Sequence, residues 1–251
     1  MNGKSKYIYG IINEFVPKNF SFTGIGEAEV CTLNHQKIAA IVSDIEFSEI
    51  DPTRKNVQAH TIVQDNLLKE YTLLPMAFGM VASGADEVQT LLEKNYEGLV
   101  GELSRLAGNI EVELKLYWDQ ETIIKEIQSD NREFSGIKEK INTASSLLEK
   151  RNLLIEAGKM VDSILLAWKS KYADMVFNVL KELSHQAKVN NPVGLKNFLN
   201  ASFLIDKTRE SNFKEQVYNL DSKFQGKVNF KYVGPMPPYN FVELKLETAK
   251  C

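Results

Sequence analysis

The side chains best suited to metal binding or acid–base chemistry are three histidines, His35, His60 and His185. No two of them have the spacing that would place a pair of metal ligands on one helix face, and none lies in an HExxH motif. A lone histidine without further ligands indicates a metal site only weakly. We therefore expect these residues to be ordinary solvated or partly buried side chains.

A pair of glutamates and a cysteine also have catalytic potential. Glu111 and Glu113 alternate along a predicted strand, so they lie on one face and could pair as a general acid and base. The same alternation is typical of a solvent-facing strand surface, which is the interpretation we favour. Cys31 is typical of a small core residue, and Cys251 ends the chain without an evident role. Since the sequence also has no Gly-x-Ser-x-Gly elbow and no P-loop, we predict no catalytic residues, no metal and no cofactor.

The composition indicates the class of protein that must position these residues. The chain has 251 residues, 43% hydrophobic and 25% charged, as in an ordinary globular protein with room for one large domain or two modest ones. The net charge of −3 gives no general attraction to nucleic acid. Two widely separated cysteines suit a reducing cytosol, and no apolar stretch approaches the ~20 residues of a membrane helix. We expect a soluble, cytoplasmic protein that binds neither nucleic acid nor a lipid membrane.

The first part of the chain, residues 1–109, predicts an N-terminal α+β domain. Short runs of aromatic and β-branched residues predict strands, and apolar residues at helical spacing predict helices. The predicted strands are 7–12, 28–33, 38–42 and 76–81, and the predicted helices are 57–71 and 85–106, the second with a break near Gly98 and Gly101. This order predicts a mostly antiparallel sheet with helices covering one face.

The second part, residues 110–251, predicts a modified ferredoxin-like domain with a long helical excursion and a proline-rich tail. Predicted strands 111–118, 198–205 and 228–232 and predicted helix 207–224 follow the split βαβ order with one strand unplaced, and strand 111–118 could belong to either domain. Segment 132–188 carries apolar residues at helical spacing and no proline. One helix of that length would span roughly 85 Å, so we expect a break, at 157–158 or at 169–171.

The most distinctive segment is 233–242, Val-Gly-Pro-Met-Pro-Pro-Tyr-Asn-Phe-Val, which holds three of the chain's seven prolines. Proline lacks a backbone donor and fixes φ, so this segment cannot be a helix or the interior of a paired strand. It predicts a rigid, extended tail that leaves the last strand. Its aromatic residues could contact a partner, or the tail could fold back over its own domain or bridge the two domains.

Four segments, in order along the chain, resemble the motifs of the gas vesicle protein F/L family (GvpF/GvpL). Segment 74–79, Leu-Pro-Met-Ala-Phe-Gly, resembles the family's Leu-Pro-x-x-Phe-Gly element. Segment 111–118 resembles its Glu-x-x-Val-Lys strand, and segment 200–205, Asn-Ala-Ser-Phe-Leu-Ile, resembles its Asn-x-Ala-Phe-Leu-Val strand. The tail resembles the closing Gly-Pro-Trp-Pro-Pro-Tyr-Ser-Phe signature, with Met236 in place of the tryptophan and Asn240 in place of the serine.

The resemblance implies an accessory protein of gas vesicles, a minor structural or assembly component rather than an enzyme. It implies as partners the small hydrophobic shell protein of the vesicle and other accessory proteins, and as location the cytoplasm, in association with the gas vesicle. Exposed strand edges or an aromatic tail could hold a hydrophobic subunit. The partner-binding residues that we expect are Phe78, Met236, Tyr239 and Phe241.

Two other kinds of function stay open on the sequence. A ferredoxin-like fold hosts many activities, so the chain could be a ligand-binding protein or an enzyme with a site near His60 or Glu111. It could also be an architectural module that uses its long helices as a docking face. The first alternative requires a polar-lined pocket at either residue.

Overall fold

The computed structural model describes residues 4–119, 121–122, 125, 132–194, 196–224 and 226–247, and Cys251 lies outside them. These residues form two compact units. The first comprises 4–111, 204–208 and 235–247, and the second comprises the described residues of 112–203 and 209–234. The division falls inside segment 111–118, between Glu111 and Val112. None of the described helices combines the length and the apolar content that a membrane span requires.

The first unit is built on an antiparallel sheet in which β1 is a central strand. The strands are β1 (Ser5–Asn13), β2 (Asn19–Thr23), β3 (Glu29–His35), β4 (Ile38–Ile45), β5 (Leu73–Pro75) and β6 (Val81–Ala82). They pair in the order β2-β3-β4-β1-β5, and β6 also pairs with β1. Residues 7–12 of β1 are buried throughout, because their aromatic and β-branched side chains suit a strand that is covered on both faces.

Helices cover both faces of this sheet. They are α1 (Arg54–Glu70), α2 (Ala85–Lys94) and α3 (Tyr96–Arg105). On one face Val63 and Leu67 of α1 lie in a buried cluster with Tyr7 and Tyr9 of β1. On the other face α2 and α3 pack in a second cluster that contains Ile8 of β1. The expectation of helices on one face is therefore wrong, because successive uncharged residues of β1 point to opposite faces.

The predicted strand 76–81 is interrupted by a turn. The Met76 amide donates to a carbonyl of β1 (3.0 Å), and the Met80 carbonyl accepts from an amide of β1 (2.9 Å), so β1 holds both ends of the segment. Between them Gly79 has a φ of +91°, a conformation that glycine adopts without a steric penalty. Phe78 therefore lies at a turn and not within a strand.

The predicted helix 85–106 is two helices, and the break falls at Asn95 rather than at the two glycines. The Asn95 side chain donates to the Leu91 carbonyl (2.8 Å) at the end of α2. The Asn95 carbonyl accepts from the Leu99 amide (2.9 Å) at the start of α3. Asparagine bonds readily to nearby backbone groups, so it favours the ends of helices over their interiors.

The second unit contains most of a four-stranded sheet and the long helices. Its elements are β7 (Asn109–Trp118), α4 (Arg132–Thr143), α5 (Leu147–Lys181), β8 (Gln186–Asn190), β9 (Asn197–Asp206), α6 (Glu210–Lys223) and β10 (Val228–Met236). The strands pair in the order β10-β7-β9-β8. Without α4 the element order is β-α-β-β-α-β, the order of a ferredoxin-like fold. The strand that the sequence left unplaced is β8, which lies in the last part of the predicted helical region 132–188.

The helical excursion breaks at Ser146, before the start of α5. The Ser146 Oγ accepts from the Glu149 amide (3.1 Å), and the Glu149 carboxylate accepts from the amide and the hydroxyl of Ser145 (both 3.0 Å). These bonds satisfy donors at the first turn of the helix and fix its start. α5 runs without a break over 157–158 and 169–171, so both predicted break positions are wrong.

Candidate functional site

The proline-rich tail, defined as residues 235–247, belongs to the first unit and not to the second domain, where the sequence analysis placed it. Pro237 and Pro238 are buried, and their carbonyls accept from the amides of Tyr239 (2.8 Å) and Phe241 (3.0 Å) respectively. The fixed φ of proline suits such a turn. The turn directs Phe241 into the protein and leaves Tyr239 at the surface.

Phe241 is a core residue of the first unit. Its side chain is 0% exposed and lies in the buried cluster that α2 and α3 form on the sheet. Val242, Leu244 and Leu246 pack against the same cluster and alternate with exposed charged residues, as expected for an extended segment with one buried face. The tail therefore completes the core of the first unit, and this packing accounts for its assignment to that unit.

A buried carboxylate holds the turn of the tail. Glu111 is fully buried and accepts from the backbone amide of Asn240 (2.8 Å) and from its side-chain amide (2.5 Å). Hydrogen bonds to an ionised carboxylate are shorter and stronger than those between neutral groups. Glu111 is thus a structural acceptor for the tail. Its alternation with Glu113 predicted a solvent-facing residue, and that prediction is wrong.

A second carboxylate holds the tail beyond the turn. Glu102 of α3 accepts from the Glu243 amide (2.8 Å) and pairs with Arg105 (2.7 Å), which also donates to the Phe241 carbonyl. The Arg105 guanidinium holds the pKa of Glu102 below its usual range. The ion pair thereby satisfies one donor and one acceptor of the tail backbone.

Asn95 binds the end of the described tail through a reciprocal amide pair. Its Nδ2 donates to the Glu247 carbonyl (3.0 Å), and its Oδ1 accepts from the Glu247 amide (2.8 Å). A side-chain amide can pair with an extended main chain in this way because it carries a donor and an acceptor side by side. Close approach is also required at Gly98, where a Cβ atom would lie 2.8 Å from Leu244 Cδ1.

The structure separates the four residues expected to bind a partner. Phe241 is buried, whereas Tyr239 is 44% exposed and its hydroxyl donates to the Gln64 side chain. Met236 is half-buried at the end of β10. Phe78 is half-buried at its turn, with its ring centroid 5.8 Å from that of His60. In this arrangement only Tyr239 offers a large exposed surface to a partner.

His60 is buried within a cluster of aromatic rings. Tyr7 and Tyr9 have ring centroids 5.7 Å from that of His60, and the Tyr7 hydroxyl lies 2.9 Å from His60 Nδ1. The Gly79 amide donates to the same hydroxyl (3.1 Å), which leaves the hydroxyl proton for His60. Burial lowers the pKa of His60 to about 4. His60 is therefore a neutral packing residue that links α1 to the turn at Phe78.

The burial of His60 predicts a loss of stability on acidification. The unfolded chain binds a proton at His60 near pH 6.5, but the folded protein binds it only near pH 4. The contribution of neutral His60 to the free energy of unfolding is therefore fully present above about pH 6.5, and it declines as the pH falls towards 4. We expect His60→Gln to flatten this part of the pH dependence of the free energy of unfolding, measured by urea denaturation. The exposed His185→Gln variant is the matched control, and an equal slope in all three proteins would contradict the account.

An exposed apolar surface lies at the start of α5. Leu147, Leu148, Leu154 and Ile155 are between 49% and 89% exposed, and we call them the apolar end of α5. At 100° per residue these four positions lie within an arc of about 120°, so they share one side of the helix. Exposed apolar side chains grouped on one side of a helix are candidates for an interaction site. This surface is a better candidate for partner binding than the tail.

The residues that position the tail could not be found from the sequence, and the apolar end of α5 was indicated only by the general prediction of a docking face on the long helices. Asn95, Glu102 and Arg105 carry no motif, and their bonds to the tail span 136 to 152 residues of sequence. The apolar end of α5 has a detectable signal, because its residues have the spacing of an amphipathic helix. The sequence leaves the long helices open as a docking face, but it does not identify these four residues within them.

Comparison with known proteins places the chain among gas vesicle proteins. Residues 5–243 match the family model "Gas vesicle synthesis protein GvpL/GvpF". Gas vesicle protein F of Nostoc sp. strain PCC 7120 is 26% identical over 95% of this chain and 98% of its own length. The crystal structure of GvpF from Anabaena sp. PCC7120 covers 97% of this chain and 100% of its own, with 25% identity and a TM-score of 0.83. That of GvpF from Microcystis aeruginosa, at 21% identity and a TM-score of 0.77, shows the same fold over 96% of this chain and 99% of its own.

Proposed function

This chain belongs to the GvpL/GvpF family of gas vesicle synthesis proteins, and on that premise we propose that it binds the small hydrophobic shell protein while a gas vesicle forms. Its role is that of a gas vesicle accessory protein, and the family is not a known enzyme family. In the proposal it acts in the cytoplasm at the growing vesicle, as a minor structural or assembly component, together with other accessory proteins.

The observation that carries this proposal is the exposed apolar end of α5. A small hydrophobic shell subunit exposes apolar surface before it is assembled, and that surface needs a cover of similar character. Fully burying one leucine or isoleucine side chain contributes about 1.5–3 kcal/mol. The four side chains of the apolar end of α5 therefore provide enough surface for a specific but reversible contact.

The tail serves a different purpose in this proposal. Its inward residues are already packed in the first unit, and its backbone groups are bonded to Glu111, Glu102 and Asn95. A partner could use Phe241 only after those contacts had been broken. The tail is therefore a brace of the first unit, and Tyr239 contributes at most to the edge of a partner contact.

We expect the double variant Leu148→Glu and Ile155→Glu to weaken binding of the shell protein by at least about tenfold, which corresponds to about 1.4 kcal/mol. Two charges on this surface would have to be desolvated when a hydrophobic partner covers it. The melting temperature should stay unchanged, because both side chains are exposed. The measurement is co-purification of the shell protein with the tagged full chain, followed by quantitative immunoblotting.

The control is Tyr218→Glu on α6, which places one glutamate on an exposed hydrophobic residue away from the apolar end of α5. This variant should bind the shell protein as the unaltered chain does. If the double variant and the control retain equal amounts of shell protein, the apolar end of α5 is not the binding surface.

A further inference from the structure

A groove on the second unit lies between α5 and the start of β9. Its volume is about 590 Å³. From the helix it is lined by four small residues together with Leu166 and Lys169, and from the strand by Asn197 and Phe198; the small residues are Ser163, Ala167, Ser170 and Ala173. The Phe198 ring stacks on Trp118 with centroids 4.5 Å apart, which fixes one wall. The four small side chains leave space beside Leu166 and Lys169 for a further chain segment.

Asn197 is an unsatisfied polar residue in this groove. Its side chain is only 6% exposed, and neither its Nδ2 nor its Oδ1 has a hydrogen-bond partner among the described residues. Buried amide groups are almost always hydrogen-bonded in native proteins, because leaving them unpaired costs their full desolvation. An amide that is buried, unpaired and part of a groove wall indicates that a ligand completes its hydrogen bonds.

The first unit shows what kind of ligand fits such an amide. There Asn95 forms a reciprocal pair with the backbone amide and carbonyl of Glu247 in an extended segment. The segment alternates inward apolar residues with outward charged ones. An extended main chain offers the donor and the acceptor that Asn197 lacks, at the same spacing.

Charge indicates the character of the ligand. Of the described residues that line the groove, Lys169 alone is charged, and it is half-buried. Among the described residues no carboxylate lies within ion-pair distance of it. A partly buried cation without a counter-charge favours a ligand that supplies a carboxylate.

We infer that this groove binds an extended, acidic peptide segment of a partner protein, whose main chain pairs with Asn197 and whose carboxylate pairs with Lys169. The inference goes beyond shell-protein binding and does not depend on it. The groove is separate from the apolar end of α5, and its ligand is acidic and extended rather than uniformly apolar.

The test uses the full chain and a peptide labelled at its N-terminus, carboxyfluorescein-Val-Glu-Val-Glu-Val-Glu-Val-amide, in a fluorescence polarisation titration. A peptide with lysine in place of glutamate tests the charge requirement. Asn197→Leu and Lys169→Glu should each weaken binding of the acidic peptide at least about tenfold. Lys171→Glu, an exposed change on the same helix outside the groove, should alter the dissociation constant less than about twofold.

Thermal unfolding distinguishes a ligand-binding amide from a structural one. Asn197→Leu should leave the melting temperature unchanged or raise it, because it removes an unpaired buried amide. A lower melting temperature would show that Asn197 serves the fold and would overturn the inference. The inference is also overturned if the acidic peptide shows no binding at a protein concentration of about 1 mM, which corresponds to a binding free energy of only about −4 kcal/mol. It is overturned as well if the lysine peptide binds equally well, or if Asn197→Leu leaves binding of the acidic peptide intact.

Discussion

Replacing Phe241 with alanine is expected to lower the free energy of unfolding of the first unit by about 3–5 kcal/mol. The side chain is completely buried in the cluster that α2 and α3 form on the sheet. Its removal loses the transfer free energy of the ring and leaves a cavity that the surrounding core cannot fill without strain. Urea denaturation followed by circular dichroism measures the change, and the midpoint should shift strongly.

The matched control is Phe15→Ala, because that phenylalanine is 73% exposed. This substitution should change the free energy of unfolding by less than about 0.5 kcal/mol. A similar small loss for Phe241→Ala would mean that the tail does not complete the core in solution, and Phe241 would then again be a candidate contact for a partner.

Replacing Asn240 with aspartate is expected to destabilise the protein by about 2–4 kcal/mol at neutral pH. The change is nearly isosteric, but it replaces a donor 2.5 Å from the buried Glu111 carboxylate with a second carboxylate. One hydrogen bond to a charged group is lost, and two like charges are brought into contact. The backbone bond from Asn240 to Glu111 cannot offset this repulsion.

The sign of the pH dependence makes this prediction specific. Repulsion raises the pKa of one carboxyl group in the folded variant above its value in the unfolded chain. The folded variant then binds more protons than the unfolded variant, so the deficit relative to the original protein is largest at neutral pH and shrinks on acidification. Asn219→Asp, on an exposed face of α6, is the control and should show neither effect. A constant deficit between pH 5 and 7 would contradict the like-charge explanation.

Sequence patterns were sufficient where local signals decide the structure. Strands with continuous apolar or aromatic runs, such as 7–12 and 38–42, lie where they were predicted. The break before α5 has a local signal that the prediction did not use, because Ser146 and Glu149 have the spacing of a capping box. The glycines that seemed better break points are tolerated within α5 or α3, since isolated glycine weakens a helix but does not end it.

The tail shows the limit of local reasoning. Its prolines and its family resemblance were evident from the sequence, but its contacts were not. Glu111 and Glu102 bond to residues 129 and 141 positions away. A buried carboxylate on a strand with alternating charges has the same local pattern as a solvent-facing one. Only the long-range packing of the tail distinguishes these two environments. That packing indicates that the tail stabilises the first unit, whereas the sequence predicted a binding segment.

Because the tail stabilises the first unit and the apolar end of α5 is the proposed binding surface, substitutions in the two places should be interpreted differently. A tail variant that abolishes vesicle formation can do so by unfolding the first unit, because Phe241 and Asn240 both contribute to its stability. A variant at the apolar end of α5 has no such effect, because its side chains are exposed. Stability and shell-protein binding must therefore be measured on the same variants.

The most direct test of this account compares shell-protein binding by three forms of the full chain: the unaltered protein, Tyr239→Ala, and the double variant Leu148→Glu and Ile155→Glu. Each is tagged, co-expressed with the shell protein and purified, and its melting temperature is measured so that a loss of fold can be told from a loss of binding. The account predicts that Tyr239→Ala retains the shell protein and that the double variant loses at least about nine-tenths of it. Retention by the double variant together with loss by Tyr239→Ala would contradict the account and return the binding site to the tail.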